Sequence, residues 1–214
     1  MFIKPRGGLD MEVFERCVAA AGDPQFCAFV TQVGGLVVDL ATCLEALDAE
    51  RCYRACLERC VGEGCGGMCL GALETALGVL MARRVARRAE AAALLGLSPV
   101  DAVAAAFNEE LRKVRLMDCP ERGVAARALA TAAVDMYMSF REALREQAQD
   151  ILLLAAPALS AAYRCIGEEA FEYLEHVRPF VDEEALKRVV AALEEGGALV
   201  GGTLIKFEPV KSKQ

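Results

Sequence analysis

Residues 52–69 read CYRACLERCVGEGCGGMC. Cys52, Cys56 and Cys60 recur every fourth position, which puts them on one stripe of an α-helix. Cys65 and Cys69 repeat the interval after the glycines at 62, 64, 66 and 67. Glycines between two helical patterns mark a turn. The stretch therefore reads as a helical hairpin with sulfur on its inner faces. Residues level with one another across such a hairpin share a midpoint in sequence. Cys52 with Cys69, and Cys56 with Cys65, share one between Cys60 and Val61. Both pairs are expected to lie within disulfide reach if the stripes face each other.

The same symmetry applies elsewhere. Cys17 and Cys27 flank Gly22, and a bridge there staples the first two helices. Cys43 and Cys52 flank the Leu47–Asp48 junction and compete with the 52–69 rung. Cys60, Cys119 and Cys165 receive no partner from sequence. The bridges favoured are 17–27 and 56–65. Over residues 52–69 the pattern resembles the twin C-x3-C helical hairpins of small mitochondrial chaperones, and the resemblance stops there. A second reading uses Cys52, Cys56, Cys60, Cys65 and Cys69 as thiolates for copper or an iron–sulfur cluster, since sulfur in rows suits soft ions. CYRACLERC is locally similar to helices of copper-storing bundles. Zinc fits less well, because no C-x2-C knuckle occurs.

Outward from this stretch the punctuation is that of helices. Asp23-Pro24 starts one as N-cap and first-turn proline, and Asp48 caps the next. Ser98-Pro99-Val100-Asp101 has the form of a capping box, and Asp118-Cys119-Pro120-Glu121 repeats it. Helices are expected over 9–21, 24–47, 49–61, 68–95, 98–117, 121–149, 150–166 with a kink or break at Pro157, 168–177 and 183–195. Residues 198–207 (ALVGGTLIKF) read as a strand. Its expected partner is Phe2-Ile3-Lys4 or another subunit. The fold class is thus an all-α bundle of eight or nine helices with helical hairpins and a short C-terminal β-like tail. One domain is expected, with subassemblies 1–97, 98–195 and 196–214.

Composition agrees. The chain has 214 residues, 55% of them apolar, which excludes intrinsic disorder. Aromatic residues are only 6%, with no Trp, which disfavours a β-sandwich or barrel. The first seventeen residues lack an apolar core and cleavage site, so no secretory signal is expected. The apolar stretches 24–38 and 64–82 are read as core helices, the first interrupted by Gly34-Gly35 and the second by Glu74, so no membrane span is expected. That points to a cytoplasmic or virion location. Ten cysteines without a signal are unusual outside hyperthermophiles, whose intracellular proteins carry disulfides. Asn108 is the single Asn, and Glu far outnumbers Asp. Both tendencies fit a hyperthermophilic archaeon or its virus.

Chemistry-bearing patterns are few. The only histidine is His176, which excludes His-rich metal sites. There is no phosphate loop and no G-x-G-x-x-G. Net charge is −7, which disfavours coating of nucleic acid. Arg83, Arg84, Arg87 and Arg88 form two i, i+4 pairs near a helix end and are candidate phosphate contacts, with Arg112, Lys113, Arg115, Arg122 and Arg127 as possible extensions. Their simpler role is to complement the helix dipole. Residues 168–195 hold nine acidic against three basic groups. Gly67-x3-Gly71 with Gly78 and Ala82 gives one helix a small-residue face. The function expected is a non-enzymatic, disulfide-stabilised assembly protein with a homo-oligomeric or protein partner. The thiolate metal protein is the first alternative and a nucleic-acid-associated protein the second.

Overall fold

The computed structural model describes residues 2–3, 11–21, 24–46, 49–178 and 181–210. Among these, ten helical segments carry almost all the regular structure. They are α1 (Met11–Ala21), α2 (Pro24–Ala46), α3 (Ala49–Arg59), α4 (Cys65–Leu94), α5 (Pro99–Arg115), α6 (Glu121–Leu144), α7 (Glu146–Leu152), α8 (Ala155–Ile166), α9 (Glu169–Val177) and α10 (Glu183–Glu195). The strands are β1 (Phe2–Ile3), β2 (Cys60–Val61), β3 (Gly197–Val200) and β4 (Thr203–Lys206). The protein is an all-α multi-helix bundle with a small antiparallel sheet at its C-terminal end. The chain forms two compact units, Met1–Leu77 and Gly78–Gln214, whose boundary falls inside α4. The expected caps Asp23 and Asp48 lie outside the described residues.

In the first unit, α1 packs on α2 and α2 on α3. β1 pairs antiparallel with β2, Phe2 opposite Val61 and Ile3 opposite Cys60. The N-terminal strand thus joins the turn of the α3–α4 hairpin and not the C-terminal tail. Among the described residues, α4 alone is long and apolar enough to cross a membrane, with mean hydropathy 1.5 over its best window. Its buried residues Cys69, Ala72, Leu73, Ala76, Leu80, Val85 and Ala89 recur with helical period. Burial thus runs along one side of the helix.

In the second unit, α6 and α8 meet through alanines. Ala126, Ala128, Ala130, Ala132 and Ala133 of α6 and Ala155, Ala156, Ala158 and Ala162 of α8 are at most 1% exposed. Small side chains let the backbones approach closely. At Gly78 of α4, an added Cβ would stand 3.0 Å from the Ala128 carbonyl and from Thr131. Gly67 and Gly71 face open space, so of the expected glycine face only Gly78 marks a tight contact.

Ser98 caps α5: its Oγ accepts the Asp101 N–H at 3.2 Å and donates to Asp101 Oδ2 at 2.6 Å, with Pro99 opening the helix. The second expected box differs. Asp118 makes no side-chain cap, and only its carbonyl accepts from Arg122 N–H at 2.9 Å.

The expected unbroken helix to residue 149 ends at Arg145, the residue between α6 and α7. Arg145 has φ 51° and ψ −119°, a conformation that glycine takes without cost and a side chain does not. No glycine or proline announces the break. Arg145→Gly is expected to stabilise the fold by about 1 kcal/mol and raise Tm by about 2–4 °C, as a thermal melt would show. Pro157 was expected to kink or break a helix. It sits in the first turn of α8, where its missing N–H costs no helical hydrogen bond. The chain breaks just before it, at Leu153–Leu154.

The tail is a hairpin. Gly197 pairs with Lys206 and Val200 with Thr203, around Gly201-Gly202. Gly201 has φ 55°, as the first central position of a type II′ turn requires. The single strand expected over 198–207 therefore folds on itself, and Gly-Gly is its turn. Ala198, Val200 and Ile205 face inward, while Leu199 and Leu204 stay in the open. Asp101 Oδ1 accepts the Gly202 N–H at 2.7 Å, docking the turn on α5. Hydrogen bonds from Ser98 and Gly202 hold the Asp101 carboxyl below its ordinary pKa of 3.8. A carboxylate depressed in the folded state stabilises above its unfolded pKa, and that contribution disappears as pH falls through the folded value. Gly202 amide exchange, corrected for intrinsic rate, is therefore expected to lose protection only below pH 3.8. In Asp101→Ala, which removes the acceptor, the protection is expected to be weak at every pH.

Candidate functional site: the disulfide ladder

Three disulfides run in series through the first unit. Cys43–Cys52 joins α2 to α3, Cys56–Cys69 joins α3 to α4, and Cys60–Cys65 closes the turn between them. Their Cα–Cα separations are 5.8, 5.9 and 5.7 Å. A fourth bridge, Cys119–Cys165, ties the α5–α6 connection to α8 in the second unit, with Cα–Cα 5.4 Å. Among the described residues no cysteine is free.

The hairpin is the expected one, but its register is not. Cys56–Cys69 and Cys60–Cys65 share a midpoint between Gly62 and Glu63, two residues beyond the expected centre. Gly62 at φ 117° and Gly64 at φ 85° turn the chain there. The shift replaces the expected 56–65 and 52–69 pairs. Cys60 becomes the innermost rung, and Cys52 is released to bridge back to Cys43. The 43–52 alternative, symmetric about its own turn, is the arrangement found. The side chains of Cys17, Cys27 and His176 lie outside the described residues, and with them the 17–27 bridge.

Burial grades the rungs. Cys69 is 0% exposed and Cys56 is 3%, so the 56–69 bridge is shielded at both ends, while in the 43–52 bridge Cys52 is 0% exposed and Cys43 is half-buried. Cys60 and Cys65 are partly exposed. Beside the ladder a cleft of about 320 Å³ is lined by Leu36, Leu40, Ala55 and the Cys43, Cys52 and Cys56 positions. At its rim Arg59 donates to Asp39 Oδ2 at 2.7 Å, a second tie between α3 and α2. Tyr53 Oη reaches the Gly66 carbonyl at 3.5 Å across the hairpin. Every element here braces helices against each other. No group of three or more His, Cys, Asp or Glu among the described residues is arranged to hold a metal ion. Cys52, Cys56, Cys60, Cys65 and Cys69, the thiolates of the metal reading, are all committed to bridges.

The arginine candidates separate. Arg83, Arg84 and Arg87 are exposed. Arg88 turns to α5, where it pairs with Glu110 and, at 3.2 Å, with Glu109. Lys113 joins the same carboxylates, 2.9 Å from Glu110. Glu110 is only 3% exposed, a buried charge that the sequence pattern did not single out. Arg115 and Arg122, possible extensions of the arginine patch by sequence, instead line a cleft with Arg164 and Lys206.

This is the architecture of a disulfide-stabilised, all-α protein. Comparison with protein-family models, with curated proteins and with solved structures finds no match for the chain.

Proposed function

We propose that the chain is a non-catalytic structural or assembly protein that associates with copies of itself, hardened for heat in a hyperthermophilic archaeon or its virus. A subunit of a particle, filament or virion is the role that fits. The observation carrying this is the ladder: α2, α3 and α4 are locked in sequence by three bridges. Rigidity of that kind serves a component that must keep its shape. Support for association comes from large apolar side chains left in the open. Leu94, Leu95 and Leu116 are 89%, 84% and 86% exposed. Leu199 and Leu204, opposite each other on the tail hairpin, add a further apolar spot. Burying such groups against another copy is favourable by about 25 cal/mol per Å² of apolar surface.

Intact mass after blocking free thiols, with and without reductant, joined to light scattering, tests the reading. A deficit of about 2 Da per bridge, a multimeric mass and a Tm above about 70 °C are expected. A strictly monomeric species at high concentration overturns the assembly role. Ten alkylated thiols, with copper or iron found by elemental analysis, would instead favour the metal protein at Cys52, Cys56, Cys60, Cys65 and Cys69.

A further inference from the structure

Four cations from four elements of the second unit line one cleft of about 390 Å³. Arg115 comes from the last turn of α5, Arg122 from the first turn of α6, Arg164 from the last turn of α8, and Lys206 from the end of β4. Cys119, between Arg115 and Arg122 in the chain, is bridged to Cys165, which follows Arg164, and the bridge fixes the α5–α6 connection on α8. Arg122 Nε donates to the Met117 carbonyl at 2.8 Å, which orients its guanidinium. Arg164 pairs with Glu208, whose carbonyl accepts from Ser160 Oγ at 2.8 Å. The Arg115 guanidinium has no hydrogen-bond or ion-pair partner among the described residues. Burial first, then the charge of Arg164, lowers its pKa.

Four positive charges thus face one carboxylate. Like charges brought together on a disulfide-fixed frame are a cost to the fold, and an anion with several oxygens relieves it. Guanidinium forks match the oxygens of phosphate in pairs. The cleft is larger than one phosphate, and Phe207 and Ala161 supply an apolar wall. Phe207 is held by its N–H to the Gly196 carbonyl at 2.9 Å. We propose that this cleft binds a small phosphate ester of mononucleotide size, with the phosphate between Arg115, Arg122 and Arg164 and the body of the ligand against Phe207. The site is separate from the ladder and independent of the assembly role.

Calorimetric titration of the full oxidised chain with AMP and with inorganic phosphate tests this. AMP is expected to bind, and at least about tenfold more tightly than inorganic phosphate. Arg115→Gln is expected to weaken AMP by about tenfold or more. Lys206→Gln, a change of an exposed strand residue that leaves the fold intact, is expected to weaken it several-fold. Lys187→Gln, at an exposed cation of α10 outside the cleft, is expected to leave it unchanged. Added salt is expected to reduce the affinity. Absence of AMP binding up to about 10 mM, or equal binding by wild type and both cleft variants, overturns the proposal. Inorganic phosphate binding as tightly as AMP overturns the ester assignment. Tighter binding of a single-stranded oligonucleotide than of AMP overturns the small-molecule assignment in favour of a strand.

Discussion

Replacing Cys119 and Cys165 together by alanine is expected to cost more stability than removing any other described bridge. In the chain-entropy description, a disulfide acts by restricting the unfolded chain, and the effect grows with the loop it closes. Cys119–Cys165 spans a separation of 46 residues, against 13 for Cys56–Cys69, 9 for Cys43–Cys52 and 5 for Cys60–Cys65. The corresponding stabilisations are about 4, 3, 2.7 and 2.2 kcal/mol. For a chain of this size, about 4 kcal/mol corresponds to roughly 8–16 °C in Tm. Full reduction is expected to remove less than the sum, because the 60–65 loop is nested inside the 56–69 loop. Even so, it compares with a typical net stability of about 5–15 kcal/mol, so the reduced protein is expected to unfold tens of degrees earlier. Thermal melts of the four paired-alanine variants in oxidising buffer check the order. If the 60–65 variant loses most and the 119–165 variant least, native packing around the bridges outweighs loop entropy.

Removing the cations around Glu110 is the second large effect. The Glu110 side chain is 4% exposed, while those of Arg88 and Lys113 are 39% and 49% exposed. The acid is therefore trapped and its partners are not. In Arg88→Ala/Lys113→Ala the carboxylate remains buried without a counter-charge, and the expected loss is about 3–5 kcal/mol. Glu110→Gln alone is expected to cost much less, because the released cations can turn to water. Adding Glu110→Gln to the double variant is expected to recover most of the loss. A denaturant series on the four proteins closes the cycle. Equal losses in the presence and absence of Glu110 would mean that the cations act by packing their stems and not through the buried charge.

Much of the molecule was legible before any coordinates. The Ser98 box, the glycine turn after Cys60 and the all-α class all follow from residues within a few positions of one another. The 43–52 bridge was one of two competing pairs for Cys52, symmetric about a short turn but not favoured by the sequence over the 52–69 rung. The 56–65 pairing failed by one helical turn. A hairpin rule needs the exact centre of the turn, and with four glycines between residues 62 and 67 the sequence offered several. The arginine cleft was not legible at all. Arg115, Arg122 and Arg164 converge because Cys119 meets Cys165, and two cysteines 46 residues apart carry no local sign of pairing.

Sequence alone marked many of the helix boundaries, such as the Ser98-Pro99 start of α5, because capping, glycine and proline act through hydrogen bonds and torsions of adjacent residues. It also placed the cysteines of residues 52–69 on a helical hairpin, with bridges and a thiolate metal site as competing readings. Tertiary structure decided which sulfurs meet, that the tail turns back on itself at Gly201-Gly202, that Arg145 breaks a helix without any local signal, and that Glu110 is enclosed while Arg88 is turned toward it. Those outcomes depend on distances between residues far apart in the chain. Such distances are set by the packing of whole helices, and no local preference encodes them.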